Sequence, residues 1–351
     1  MESKVIKSRG SVLTHPLVVT VLALICCALW GSATPFIKIG YELCLPVRDV
    51  PSTILFAGIR FAAAGVFTVI IFSVARRKFL YPKVKNLGKV GMVAVFQTVL
   101  QYIFFYVGLA NTSGVKGTIL SGSSTFFAIL VSALIFRQEK LDVKKIVACI
   151  VGFSGIILIN LNGLSLSMNL LGDGFVIFSA ISLGISSTLI KKFSKDEDPV
   201  TISGYQFIAG GMFMIVIGLA FGGRVDLSSL FGIGTLLYLS LLSAVAYSVW
   251  GILLKYNPVS RVTVFSFTTP VFGVILTSLM LSENSNVKTV NLILALLLVA
   301  LGIFILNFRW SALVKKKSAN ASPSVSLGTD SAEPMPEASD SNISMEETAA
   351  E

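Results

Sequence analysis

The sequence predicts an all-α polytopic membrane protein whose ten transmembrane helices form two inverted five-helix repeats around a central cavity. Three observations predict this class. Hydrophobic residues make up 54% of the chain and charged residues only 13%, which is more apolar surface than a water-soluble domain can bury. Ten apolar runs follow one another, each close to the roughly 20 residues that a helix needs to cross a bilayer. The second five runs repeat features of the first five.

The ten predicted spans follow in order from the amino terminus. They are residues 18–40, 52–75, 88–109, 114–136, 143–162, 173–192, 201–222, 231–254, 262–282 and 288–308. The first run follows a basic stretch, as a secretory signal does. It is longer than a signal, contains Trp30 and Pro35 and lacks a small-residue cleavage pattern, so we expect it to remain as the first helix.

Lysine and arginine residues bound these spans unevenly. With the amino terminus inside, the inner segments hold 22 of them and the outer segments 4, while Lys38 and Arg60 lie within spans. The inner basic residues precede the first span and follow the tenth. They also lie between the second and third spans, the fourth and fifth, the sixth and seventh, and the eighth and ninth. Such asymmetry predicts an even number of crossings and two cytoplasmic termini. The net charge of +10 therefore reflects the orientation of the chain in the lipid bilayer. The bilayer is the predicted partner, and no nucleic-acid partner is predicted.

The chain divides into five predicted regions. They are a cytoplasmic amino terminus (1–17), a first five-helix repeat (18–162), an outer connecting loop (163–172), a second five-helix repeat (173–308) and a tail (309–351). After Lys317 the chain has seven acidic residues and no basic one, in a composition rich in Ser, Ala, Pro and Glu. This composition predicts a disordered cytoplasmic tail, which is either a regulatory segment or a solvated extension.

The internal repeat can be aligned residue by residue. Residues 29–38 align with 182–191, keeping a glycine, a small hydroxyl patch and an Ile-Lys pair in register. Residues 60–67 align with 206–213, and 155–160 with 302–307. Because five is an odd number, the second copy enters the membrane from the opposite side. The repeat is therefore predicted to be inverted, as in transporters that expose a midplane site to each side in turn.

Polar side chains within the spans predict the lining of the cavity, because such groups avoid lipid and face the bundle interior. Gln97 and Gln101 share a face of the third helix, and Tyr102 and Tyr247 occupy equivalent places in the two copies. The candidates are Trp30, Thr34, Arg60, Gln97, Gln101, Tyr102, Ser121, Ser124, Ser186, Tyr247, Trp250 and Thr268, with Ser123, Thr125, Ser187, Ser243, Ser266 and Thr269 beside them.

Each candidate has a structural alternative. Hydroxyls within spans often bond to the preceding turn of their own helix, the glutamines can form interhelical bonds, and the aromatic residues can simply pack. Arg60 is either a clamp on neighbouring helix carbonyls near the outer end or a group that attracts a carboxylate or phosphate. A charge at mid-span costs about 2.5 to 3.5 kcal/mol, so hydroxyls, carbonyls, water or a substrate anion must compensate it.

The remaining chemistry is sparse. No Asp or Glu lies deep in a span, the single histidine is His15, and the four cysteines show no metal-ligand spacing. The sequence therefore predicts no enzyme, no catalytic residue, no metal and no cofactor. It also favours facilitated or exchange transport, or proton coupling without a dedicated buried carboxylate.

Four features together resemble the EamA-type branch of the drug/metabolite transporter superfamily over about residues 18–308. They are the Trp30-Gly31 pair, Arg60-Phe61, Pro270 and Glu283. The resemblance implies a ten-helix bundle with a central cavity that moves small-molecule substrates across the plasma membrane by alternating access. Amino acids, related organic anions and drugs are the implied substrate classes. A channel or a lipid-handling membrane protein is the alternative.

Overall fold

The computed structural model describes residues 12–112, 114–159, 168–281 and 289–307, and this part of the chain contains helices and connectors without a strand. The helices group into ten segments, named α1 to α10 in chain order. Six are regular: α1 is Pro16–Cys44, α2 Val50–Ala75, α5 Val143–Ile159, α7 Pro199–Ala220, α8 Leu230–Tyr256 and α10 Thr289–Asn307.

Four segments change their helical form along their length. α3 joins Leu87–Val93, the π-helical stretch Ala94–Leu100 and Gln101–Ala110; α4 joins Gly114–Gly122, Ser124–Leu130 and the π-helical stretch Val131–Ile135. α6 joins the π-helical stretch Leu170–Gly174 to Phe175–Phe193; α9 joins Val259–Thr263, the 3₁₀ stretch Val264–Thr268 and Thr269–Leu281. π-helical turns are rare and are frequent at functional sites.

Nine helices in the described part of the chain are long and apolar enough to cross a membrane. α5 is shorter, with 17 residues, and the predicted fifth span continues from it into residues 160–162, which lie outside the described residues. Glu283, the tail and residues 163–167 of the predicted outer connecting loop also lie outside them. The first predicted span, 18–40, is extended at both ends by the observed helix Pro16–Cys44.

Several helices begin at a capping residue with proline nearby. The Asp49 carboxylate accepts a hydrogen bond from the Ser52 backbone N–H over 2.8 Å at the start of α2. Asp198 accepts one from the Thr201 N–H at the start of α7, and both helices have proline in their first turn. These side chains satisfy N–H groups that have no partner within the helix.

The helices α2 and α7 pack against each other through glycine. A Cβ atom on Gly65 would lie 2.5 Å from the Gly204 carbonyl oxygen, and one on Gly211 would lie 2.8 Å from the Gly58 carbonyl oxygen. Because the higher number on one helix meets the lower number on the other, the two helices are antiparallel. Small residues allow this close approach of two backbones in a membrane.

Glycines also mark the contact between α5 and α10. A Cβ atom on Gly155 would lie 2.9 Å from the Ala295 carbonyl oxygen, and one on Gly302 would lie 2.8 Å from the Ala148 carbonyl oxygen. These helices are therefore antiparallel as well. Around the bundle, large apolar side chains such as Val74, Val216 and Phe304 stay exposed on the helix surfaces, as expected where lipid is the solvent. The described part of the chain is that of a multi-pass membrane protein.

Candidate functional site

Six aromatic side chains from five helices meet inside the bundle, and we call this group the aromatic cluster. Its members are Trp30 of α1, Phe61 of α2, Tyr102 of α3, Phe207 of α7, and Tyr247 and Trp250 of α8. The Trp30 ring packs edge-on against Tyr247 and Trp250, with centroid distances of 5.1 and 4.9 Å. Edge-to-face contact at this distance is the favoured geometry for aromatic pairs.

Two pairs in the aromatic cluster come from positions that the repeat makes equivalent. The hydroxyls of Tyr102 and Tyr247 lie 2.9 Å apart and share a hydrogen bond. The rings of Phe61 and Phe207 are stacked, with centroids 5.2 Å apart and planes 10° from parallel. Each pair places one residue of the first half of the chain against its counterpart in the second half.

Arg60 lies beside the aromatic cluster on α2 and is only 3% exposed. Its Nη2 donates to the Ser243 hydroxyl over 3.1 Å, and that hydroxyl donates in turn to the Leu239 carbonyl. The guanidinium carbon lies 4.7 Å from the centre of the Phe61 ring. Among the described residues, Nε has no acceptor and no carboxylate lies within ion-pair distance. A hydroxyl and an aromatic face, rather than helix carbonyls, therefore contact this charge.

Four tyrosines lie within electrostatic range of the Arg60 guanidinium. The hydroxyl groups of Tyr41, Tyr102, Tyr106 and Tyr247 all lie close enough to interact with its charge. A phenolic oxygen can accept a hydrogen bond from arginine while its proton remains available to another acceptor. The surroundings of Arg60 are therefore rich in hydroxyl groups.

The two glutamines of α3 are buried. Gln97 is 2% exposed and Gln101 is 8% exposed, and the carbonyl oxygen of each amide has no partner among the described residues. Gln101 lies beside the Tyr247 hydroxyl. An unpaired amide oxygen in a dry interior costs free energy of desolvation. A hydrogen-bond donor from water or a ligand would remove this cost for both glutamines.

The hydroxyl candidates divide into two groups. Ser121, Ser186 and Thr268 donate to carbonyls of their own helices over 2.7 to 2.8 Å, which is the structural alternative for such residues. Ser124 is buried at the point where the two α-helical parts of α4 meet. Thr34 is exposed, and its hydroxyl lies close to Gly273 of α9.

A separate cavity of about 510 Å³ lies between α1, α9 and α10. Thr268 is part of its wall, together with apolar residues such as Leu24, Phe272 and Phe304. None of the six aromatic residues of the cluster lines this cavity. Thr268 therefore lines a cavity that the aromatic cluster does not share.

Sequence reasoning missed several neighbours of Arg60. Tyr106 follows Tyr102 by four residues and so shares its helix face, which was an available signal. Phe61 and Phe207 are aligned in the two repeats, but an apolar pair within apolar spans has no distinctive pattern. Tyr41 lies near the carboxyl-terminal end of α1, and its distance from Arg60 depends on how α1 and α2 pack.

Polar contacts also join the connectors that the charge pattern places on the cytoplasmic side. Glu139 lies between α4 and α5, and its carboxylate accepts from the Ser260 N–H over 3.0 Å and from the Ser260 hydroxyl. It also forms an ion pair with Lys145 at 2.9 Å. This contact links the first half of the chain to the first turn of α9.

A second such contact involves Glu197, between α6 and α7. Burial raises the pKa of its carboxyl, but hydrogen bonds from the Asn86 amide and from the Lys83 and Asp198 backbone N–H groups outweigh this effect. The pKa of Glu197 therefore lies below its ordinary value, and the carboxylate is ionised at neutral pH.

Comparisons with known proteins agree on one family. The sequence profile of the EamA-like transporter family matches residues 18–161 and again 170–308. An uncharacterized transporter of Archaeoglobus fulgidus is 27% identical over 74% of this chain and 89% of its own length. A WAT1-related, chloroplastic protein of Arabidopsis thaliana is 24% identical over 80% of this chain and 67% of its own length.

Two further relatives extend the similarity. The uncharacterized transporter YoaV of Bacillus subtilis is 24% identical over 81% of this chain and 94% of its own length. A solved crystal structure superposes with a TM-score of 0.69 at 15% identity, covering 86% of this chain and 98% of that one. At this identity the superposition shows a common fold.

Proposed function

Since this chain belongs to the EamA-like transporter family, we propose that it moves small metabolites across the plasma membrane by alternating access. Amino acids, related organic anions and drugs are the candidate substrates. The aromatic cluster with Arg60 carries the proposal, because helices of both halves of the chain build it and it combines apolar walls with unpaired polar groups. Transporters bind substrates at such a repeat interface.

The proposal includes ten crossings in two inverted five-helix repeats. The contacts of glycine support it: Gly58 and Gly65 are each followed, 146 residues later, by Gly204 and Gly211, and the four meet in exchanged pairs across α2 and α7. Such an exchange of partners is expected when a twofold axis relates the two halves of the chain.

A second pair of equivalent contacts involves other helices. Gly31 of α1 packs against Phe272 and Gly273 of α9, and Gly184 of α6 packs against Phe127 and Ala128 of α4. The predicted alignment makes Gly31 equivalent to Gly184, and 145 residues separate Phe127 from Phe272. Equivalent glycines therefore meet equivalent partners, which favours two copies of one unit.

The distribution of basic residues supports the proposed orientation, with both termini in the cytoplasm. The partners that we propose are a small-molecule substrate and the lipid bilayer. No Asp or Glu lies deep in a predicted span, which favours uniport or exchange, or proton coupling without a dedicated buried carboxylate.

Transport by the purified full-length protein in proteoliposomes tests the proposal. Metabolites that differ between cells with and without the protein supply the candidates. A carrier should show saturable uptake that speeds up when the same solute is present on the opposite side. Unsaturable flux with continuous conductance would indicate a channel instead, and lipid movement without solute flux would indicate a lipid-handling protein.

A further inference from the structure

We infer that the site at Arg60 binds an organic substrate with one negative charge, which Arg60 and the surrounding tyrosine hydroxyls hold while the aromatic cluster contacts its apolar body. The inference rests on the proposed transport function and specifies its substrate class. It starts from a buried cation that lacks an anionic partner among the described residues.

The hydrogen-bonding capacity of Arg60 exceeds what its protein neighbours use. A guanidinium has five N–H donors in a planar fork that matches a carboxylate or phosphate. Nη2 is bonded to the neutral Ser243 hydroxyl, and Nε has no acceptor in the described part of the chain. A buried charge normally has a counter-charge or a full set of hydrogen bonds. A substrate anion would supply both.

The tyrosines around Arg60 offer further donors. In the bonded pair of Tyr102 and Tyr247 only one hydroxyl proton is used between the two oxygens, so the other proton is available to an anion. Tyr41 and Tyr106 lie within electrostatic range of the guanidinium and are hydrogen-bonded to each other, so this pair adds one further hydroxyl proton. Hydrogen bonds from such groups to an ionised acceptor are stronger than bonds between neutral groups.

The asymmetry between the two halves of the chain indicates how many negative charges the substrate carries. Gln206 occupies the position of the second copy that aligns with Arg60, and it is neutral. Its amide oxygen accepts a hydrogen bond from the Thr98 hydroxyl over 2.6 Å. The site therefore contains one cation where a symmetric site would contain two, which favours a monoanion over a dianion.

The rest of the substrate is expected to be apolar. Trp30, Phe61, Phe207 and Trp250 present ring surfaces rather than charges around the same site. Flat apolar walls with a few polar groups are typical of sites for small organic ligands. An aromatic or branched body that carries one carboxylate fits this combination.

Three probes of one shape test the charge preference. Phenylacetate is an anion, phenylacetamide is its neutral analogue and phenethylammonium is a cation of similar size. Binding to the purified full-length protein is measured by the rise in unfolding temperature with probe concentration, which does not require transport. We expect phenylacetate to bind at least tenfold more tightly than either other probe at pH 7.

Substitutions at Arg60 separate binding from structure. Arg60→Gln should abolish the preference for phenylacetate over phenylacetamide. Arg60→Lys keeps the positive charge and should retain part of this preference. The matched control is Arg48→Gln, an exposed arginine paired with Glu42 at 3.6 Å, which should leave the preference unchanged. Without a probe, Arg60→Met should unfold at a higher temperature than the natural protein, because an uncompensated buried charge is removed.

Equal binding of the three probes, no binding of any of them, or a phenylacetate preference that persists in Arg60→Gln would overturn the inference. A lower unfolding temperature of Arg60→Met combined with that persistence would assign Arg60 a purely structural role. Saturable flux of neutral solutes without anion preference would refute the inference about substrate charge, while the proposed transport function would still hold. Anion binding without saturable flux of any solute would refute the transport function instead.

Discussion

At the scale of single residues, a hydrogen bond between two tyrosines joins equivalent positions of the two halves of the chain. Tyr102 and Tyr247 contribute equivalent hydroxyls, and Gln101 lies beside them with an unpaired amide oxygen. Among the described residues, none of these three side chains bonds to a helix carbonyl. Their polar groups are therefore available for a ligand.

Gln101→Ala and Tyr247→Ala are each expected to lower saturable transport by about tenfold with little change in expression, because a hydrogen bond between a protein and its ligand contributes about 0.5 to 1.5 kcal/mol, and more when one partner is charged. Uptake into proteoliposomes measures the effect, and Tyr81→Phe, on the exposed connector between α2 and α3, is the control. An equal loss of folded protein in both alanine variants would instead show that these side chains only pack.

The residues of the site were predictable to different degrees. The equivalence of Tyr102 and Tyr247 follows from the repeat, and a buried arginine is conspicuous in an apolar span. Ser243 was named among the polar residues of the spans, but its bond to Arg60 could not be predicted, because serines are frequent in these spans and many bond to their own helix. The approach of Tyr41 depends on helix packing, which no local pattern specifies.

At the scale of helices, the contact between α2 and α7 depends on the absence of side chains. A Cβ atom on Gly211 would lie 2.4 Å from the Ala62 backbone nitrogen, and a backbone atom cannot rotate away as a side chain can. Adding one methyl group there must therefore move a helix. In α8, by contrast, a Cβ atom on Gly234 would meet nothing within 4 Å.

Gly211→Ala is expected to destabilise the protein by about 1 to 3 kcal/mol, because overpacking forces backbone shifts. Gly234→Ala is the matched control and should be neutral or stabilising by up to about 1 kcal/mol, because alanine favours the helix. Thermal unfolding of the purified protein in detergent measures both. Equal stability of the two variants would mean that α2 and α7 do not pack as closely as described.

Hydropathy predicted where the helices lie, but it could not predict their irregular turns. The π-helical stretch Ala94–Leu100 and the 3₁₀ stretch Val264–Thr268 have the same apolar composition as their surroundings. Their backbone form is decided by the fit of neighbouring helices rather than by local propensity. This fit places Gln97 and Gln101 in the interior, which their spacing alone only suggested.

At the scale of the whole molecule, alternating access requires the two halves to separate on one side of the membrane while they meet on the other. The Glu139–Ser260 contact joins a connector of the first half to α9 of the second. It lies on the side where basic residues accumulate. If this side opens during transport, the contact must break in every cycle.

A reversible cross-link tests this requirement. Glu139→Cys combined with Ser260→Cys places two thiols where the side chains are already in contact, and the four native cysteines are buried. Oxidation should abolish saturable transport, and reduction should restore it to the level of the reduced double variant. The single variant Glu139→Cys should be insensitive to oxidation, since it lacks the second thiol. Undiminished transport by the fully cross-linked protein would mean that the two halves do not part at this contact, and a fixed pore would then explain the flux better than alternating access.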